Sequence, residues 1–291
     1  MKRFFFTLAI IAVAAISAIA QNKLTKEYKF GKITSIEASS VYDIEVTKGN
    51  SGTVKVVYDE FFKDRLMVNY INGKLNLEVA STKMRNNDRK IEGIKVYLQM
   101  PTIENLDLSG ASSLNAMGSF QTDELDVELS GASSISGLVI SGNELSLDCS
   151  GASTLNLRGD FKTIEAEISG SSEIVLNSNS TVFEGEFSGA TTVKVYGDHK
   201  NTDVVCSGAS NLTLEGKTDY IKSVTTGASN LKAQEFTALN GYAQVSGASN
   251  AKVRCTGDLK IMVGRASKLT YYGNPNIINL ITDNNIKKGD D

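Results

Sequence analysis

Tryptophan is absent from this chain; histidine occurs once, proline twice and cysteine three times in 291 residues. A single histidine excludes most histidine-based metal sites and leaves one candidate for imidazole acid–base work. Without tryptophan, the broadest ring for stacking on sugars is missing. Charge of one sign is also scarce: 30 basic residues stand against 33 acidic ones, a net charge of -3 with a pI near 5.5. That imbalance is too small to hold the chain open, and it supplies no basic surplus for nucleic acid. With 41% hydrophobic residues, the composition is that of a folded protein.

Long apolar runs are confined to the start. Lys2 and Arg3 precede an uncharged stretch from Phe4 to Ala20, which ends in Ala18-Ile19-Ala20 and is followed by Gln21-Asn22-Lys23. A basic start, an apolar run and small residues before polar ones make the layout of a secretory signal peptide, with cleavage after Ala20. Residues 1–20 are therefore read as a leader. The expected location is the periplasm, the outer membrane or cell surface, or the medium. No later stretch is apolar enough to span a bilayer as a helix. The mature chain would carry a net charge of -5.

What is abundant is a repeat. Ser-Gly-Ala-Ser or a close variant recurs with its glycine at Gly110, Gly131, Gly151, Gly170, Gly189, Gly208, Gly227 and Gly247, at intervals of 19 to 21 residues. Before each copy, apolar residues alternate with polar ones: Leu106 and Leu108 around Asp107, Val127 and Leu129 around Glu128. After each copy the alternation resumes. One apolar series runs Leu114, Ile135, Leu155, Ile174, Val193, Leu212, Leu231 and Ala251. A second is expected to run Ala116, Gly137, Leu157, Leu176 and Val195. Period two on both sides of a turn means two half-buried strands per repeat. A repeat of about 20 residues is too short for a strand–helix–strand unit, which needs about 30, and fits one turn of a β-solenoid.

The fold expected is all-β: a right-handed parallel β-helix of roughly 20-residue coils, spanning 101–275. Residues 21–100 form a strand-rich cap or opening coils, and Asn72-Gly73 marks a hairpin between Leu66–Ile71 and Lys74–Val79. Residues 81–90 read as a loop, and 276–291 as a carboxyl-terminal cap and tail. At each corner the glycine supplies a backbone angle that a Cβ opposes, the alanine is expected to turn inward, and the serines to hydrogen-bond along the stack or to corner backbone. Cys149 and Cys206 occupy equivalent positions three repeats apart, about 14 Å on a rise of about 4.8 Å per rung, too far for a disulfide. They and Cys255 read as small buried apolar side chains.

Several of these segments together resemble one family. They are Phe30-Gly31-Lys32-Ile33, the run from Tyr42 to Gly49, Asn72-Gly73-Lys74-Leu75 and the run from Val96 to Pro101. The serial Ser-Gly-Ala-Ser copies and Tyr271-Tyr272-Gly273-Asn274-Pro275 complete the set. The chain resembles the putative auto-transporter adhesin, head GIN domain family of exported Bacteroidetes-type proteins, from about Phe30 to Pro275. Members often carry Ser-Gly-Ser-Gly where this chain has Ser-Gly-Ala-Ser. The resemblance implies a right-handed β-helix in the cell envelope. It implies adhesion loosely and brings no catalytic residues.

Chemistry-bearing motifs are few. Gly216-Lys217-Thr218 resembles the end of a phosphate loop, but Asn211 stands where the pattern requires glycine. His199, in Gly197-Asp198-His199-Lys200, reads as a solvated turn residue. The one constellation is acidic. Asp107, Glu128, Asp148, Glu167 and Glu186 fall in one outward column, and Asp126, Glu165, Glu184 and Asp203 in the next. Carboxylates about 4.8 Å apart in water repel by roughly 0.9 kcal/mol, a cost a solvated face tolerates. Such a column is a candidate surface for cationic ligands or loosely held Ca²⁺. No other cofactor is expected. Regular carboxylates and short loops argue against an enzyme, although β-helices do host carbohydrate-active ones. The function expected is a non-catalytic envelope binding module, an adhesin with a protein or glycan partner. The alternative is a self-associating scaffold, since Lys194, Lys232 and Lys252 lie with Tyr196 and Tyr242 in the later repeats.

Overall fold

The computed structural model describes residues 23–80, 93–282 and 285–290. The leader reading for 1–20 and the loop reading for 81–90 lie outside the described residues. Within them the chain is a β-solenoid of about nine turns, with one short 3₁₀ segment at Glu60–Phe62 and no α-helix.

Alternation builds the rungs. Leu106 pairs with Val127, Val127 with Leu147, Leu147 with Ala166, and Ala166 with Gly185, all in parallel register and all buried. Past the corner, Leu114, Ile135, Leu155, Ile174, Val193, Leu212 and Leu231 stack in the same way. Each such side chain contributes about 1.5–3 kcal/mol of hydrophobic stabilisation relative to exposure. Stacking equivalent residues turns that local gain into a continuous core.

The corner explains the invariance of its glycine within this chain. All eight repeat glycines have φ between +68° and +74°. The residue after each glycine donates its N–H to the corner carbonyl one rung earlier: Ala111 to Ser40 at 2.6 Å, and Ala132 through Ala248 to the preceding glycines at 2.7 Å. A Cβ built on Gly151 would stand 2.4 Å from the Gly131 carbonyl oxygen. The alanine does not turn inward as expected: Ala111, Ala132 and Ala152 are exposed. The left-handed glycine rotates the alanine to solvent and sends the following serine inside. That buried serine returns its hydroxyl to the carbonyl three residues earlier: Ser133 to Ser130 at 2.6 Å, Ser172 to Ser169 at 2.9 Å. In these coils a polar atom sits at the edge of an aliphatic core with its hydrogen bond met, whereas Ser210 bonds Ser229 and the Thr191 hydroxyl at the same corner position is buried without a partner.

One inward series is also corrected. Gly137 is exposed, with φ +68°, and Leu138 takes its place opposite Leu157. The repeat starting at Ser130 is 20 residues long, one more than the four that follow it. The extra residue is accommodated as a bulge at Gly137.

The amino-terminal segment is woven rather than stacked in sequence order. It comprises β1 (Lys23–Lys29), β2 (Ser35–Ser40), β3 (Tyr42–Lys48), β4 (Thr53–Asp59), β5 (Leu66–Ile71), β6 (Lys74–Val79) and β7 (Ile94–Met100). The first regular repeat follows as β8 (Asn105–Gly110) and β9 (Ser113–Met117). β2 lies between β6 and β8, and β3 between β7 and β9, all parallel. Beyond them the pairing turns antiparallel: β5 on β6, β4 on β7, β1 on β4. The expected hairpin is present, with Asn72 and Gly73 both at positive φ. At the other end, Asn276–Thr282 and Ile286–Lys288 pair parallel to Asp258–Val263 and Lys268–Tyr272 and so continue the stack.

In the later coils the strands lengthen. Thr192–Cys206, Asn211–Thr225 and Asn230–Val245 run unbroken from one broad side, across a short third side, to the other. The segment read as a polar turn at 197–200 is thus strand.

Candidate functional site

Two regions gather polar side chains. The first is the outer face of the sheet that precedes each corner. Glu37, Asp107, Glu128, Asp148, Glu167 and Glu186 form one unbroken column across consecutive rungs. Beside it run Asp126, Ser146, Glu165, Glu184 and Asp203, where neutral Ser146 separates two carboxylates. The expected acidic columns are therefore in place, and the structure adds Glu37, hidden in the sequence because its rung precedes the first corner repeat.

The electrostatics differ along the face. Partial burial, and then Glu37 beside it, hold the Asp107 carboxyl above its ordinary value. At the far end Lys222 Nζ bonds Asp203 Oδ2 at 2.6 Å, and this bond holds the amine above its ordinary value. Between them Glu165, Glu167, Glu184 and Glu186 surround a shallow depression of about 260 Å³. Among the described residues no three histidine, cysteine or carboxylate side chains converge as a metal-ligand set. The carboxylates form a ladder rather than a cage. Nor does the arrangement single out one acid and one base, since the four glutamates are all exposed and repeat one environment.

The second region was not legible in the sequence. His199 is not a solvated turn residue: it is 5% exposed, on the third side of the coil. Its ring stands 5.2 Å from Phe183 and 6.0 Å from Phe236. Nδ1 lies 2.7 Å from Ser180 Oγ, and Nε2 is buried without a hydrogen-bond partner. Next to it Thr218 Oγ1 bonds the Lys200 and Tyr220 carbonyls, and Thr202 Oγ1 bonds Thr218. A groove of about 520 Å³ opens over Ser180, His199 and Thr218. The misreading has a physical cause. Gly, Asp and Lys around the histidine are turn formers, but the parallel ladder on both sides overrides that preference.

Burial lowers the His199 pKa from 6.5 to about 4, against a smaller opposing pull from Asp198. The unfolded chain therefore binds the proton more tightly. The stabilisation is fully present above pH 6.5 and is lost as pH falls toward the folded value. Between about pH 7 and about pH 4 this group alone should cost about 3 kcal/mol of stability. Denaturant unfolding of wild type and His199→Phe across that range should show a flatter pH dependence in the variant. Equal slopes would refute the assignment.

The cysteines occupy the expected places. Cys149 and Cys206 are three rungs apart through Ile168 and Phe187, and all three cysteines are buried and free. Burial pushes the Cys149 and Cys206 thiols up to about 12, so neither is a nucleophile near neutral pH.

Among the described residues no helix is long and apolar enough to cross a membrane. No curated protein matches the chain. Solved structures show the same fold at low identity. A putative lipid binding protein from Parabacteroides distasonis is 16% identical with a TM-score of 0.53, over 92% of this chain and 97% of that one. A putative adhesin from the same organism is 14% identical with a TM-score of 0.55, over the same shares. A putative adhesin from Parabacteroides merdae is 12% identical with a TM-score of 0.53, again over 92% and 97%. The sequence profile of one family matches residues 32–178 and again 165–275, which takes in the woven opening from β2 onward as well as every corner repeat. This chain belongs to the putative auto-transporter adhesin, head GIN domain family.

Proposed function

We propose that the chain is an exported, non-catalytic binding module of the cell envelope, an adhesin that meets cationic partners through its carboxylate face. The observation that carries this reading is the unbroken acidic column on a flat sheet, with a second column beside it. A repeating array of exposed charge steers a partner and sets its register, while each pair alone contributes little. Loosely held Ca²⁺ along the ladder would occupy the same carboxylates as a cationic partner, so its addition should weaken retention.

A specific observation favours a second reading, a self-associating scaffold. Lys232 and Lys252 are neighbours on the opposite face, with Lys194 two rungs from Lys232. Thr213 interrupts the lysine column, so a second copy could set these lysines against some of the carboxylate rungs, not all of them. The two readings separate in one experiment on the mature chain. Wild type and a Glu165→Gln, Glu167→Gln, Glu184→Gln, Glu186→Gln variant are compared for retention on envelope fractions and for light scattering, at low and high salt. The adhesin reading expects retention to fall at least about tenfold in the variant and at high salt, with the protein monomeric throughout. Salt-sensitive growth in particle size supports the scaffold. Undiminished retention of the variant would remove the acidic face from the function.

A further inference from the structure

We propose that the groove over Ser180, His199 and Thr218 is a second binding site, and that it takes a neutral saccharide unit. It is separate from the carboxylate face, and either can fail without the other.

The floor is the first argument. The interior column Ser180–His199–Thr218–Ala238–Cys255 starts with three polar side chains in succession, where the inner columns of the broad sides are mostly aliphatic and carry single polar members such as Ser223 and Thr225. Polar groups in a core cost stability, and breaches of the local rule concentrate at functional positions. Here the breach is incomplete as structure: the Ser180–His199 bond is made, but His199 Nε2 has no partner, in a residue 95% buried.

The rim gives the chemistry. Asp198 and Asp219 face Lys200 and Lys217 around the opening, two charges of each sign. Lys217 Nζ is 3.3 Å from Asp198 Oδ2, and both side chains remain more than half exposed. A rim with no net charge gives no preference to an ion of either sign. Carboxylates and ammonium groups side by side do offer acceptors and donors to hydroxyls. The groove also has an apolar element: Leu239, 53% exposed, with Thr237 and Thr256 beside it. Asp219 and Leu239 lie on adjacent strands between the paired residues Thr218–Ala238 and Tyr220–Asn240. Hydroxyl-binding and apolar features are thus one rung apart, about 4.8 Å, close to the width of a pyranose ring. The volume of about 520 Å³ accommodates one such unit.

The test uses the uniqueness of the histidine. His199 is the only one in the sequence, so its imidazole C–H resonances report this site alone. The whole mature chain is titrated with methyl glucoside, methyl mannoside, N-acetylglucosamine and, as an anionic counterpart, glucuronate. The expected result is a saturable shift with a neutral glycoside at a Kd on the order of millimolar, and no gain in affinity with glucuronate. Asp219→Asn with Leu239→Ser, both exposed, should weaken binding at least about tenfold with an unchanged melting temperature. Glu165→Gln with Glu184→Gln should leave it unaltered. The proposal is overturned if no neutral glycoside moves the resonance by about 50 mM, if glucuronate binds more tightly, or if the groove variant binds as wild type.

Discussion

Replacing Gly151 by alanine is expected to destabilise the solenoid by about 2–4 kcal/mol, far more than one methyl group costs elsewhere on a surface. Two effects add. With φ at +72°, an L side chain costs about 1–2 kcal/mol in the left-handed region. The new Cβ would also meet backbone of the previous rung, 2.4 Å from the Gly131 oxygen and 2.9 Å from its nitrogen. Backbone cannot swing away as a side-chain tip can, so the 2.7 Å bond from Ala152 to Gly131 must stretch. The melting temperature should fall by roughly 5–10 °C. Repeat arrays can unfold in parts, so hydrogen exchange should show protection lost first at the rungs flanking 151. Ala152→Ser is the control: that position is exposed, and a change within about 0.5 kcal/mol is expected. Comparable damage from both substitutions would show that the corner is not where the strain arises.

Phe187→Ala should cost about 3–5 kcal/mol, the range for emptying a buried aromatic site. Phe187 is 1% exposed between Ile168 and Cys206. Its ring also covers Gly185 on its own strand: a Cβ there would fall 2.4 Å from Phe187 Cζ. The aromatic fills space that glycine leaves in a column where neighbouring rungs carry Ala166 and Val204. The two positions are one packing unit. Gly185→Ala alone should destabilise by about 1–3 kcal/mol through overpacking. In Gly185→Ala with Phe187→Leu, the loss should be smaller than the sum of the single losses by about 1 kcal/mol. A double-mutant cycle by thermal unfolding measures this, and strict additivity would show that the ring does not depend on the glycine.

How much of this was legible follows from what repeats. The corner glycine recurs in eight successive coils for a reason that recurs in each of them, so the solenoid and its acidic columns could be read off the spacing. Gly137 was misplaced because a bulge shifts register by one residue and leaves the alternation on either side intact. The alanine faces the side opposite to the one expected because its direction depends on one dihedral angle, which composition does not encode. His199 was lost for a deeper reason. Its burial depends on Phe183 and Phe236, one 16 residues before it and the other 37 after. Only the wound coil brings them together. The carboxylate face, being periodic, was visible, and the groove, being singular, was not.

The placement of β2 and β3 between β6–β7 and β8–β9 bears on the order of synthesis. These two strands leave the ribosome early, yet both of their neighbours are made later, and the last of them ends at Met117. The nascent amino-terminal third thus has no complete sheet to settle into, and it holds unpaired strand edges until well over a hundred residues exist. In this weave the paired strands are far apart in sequence, the kind of contact whose loop-closure cost slows folding.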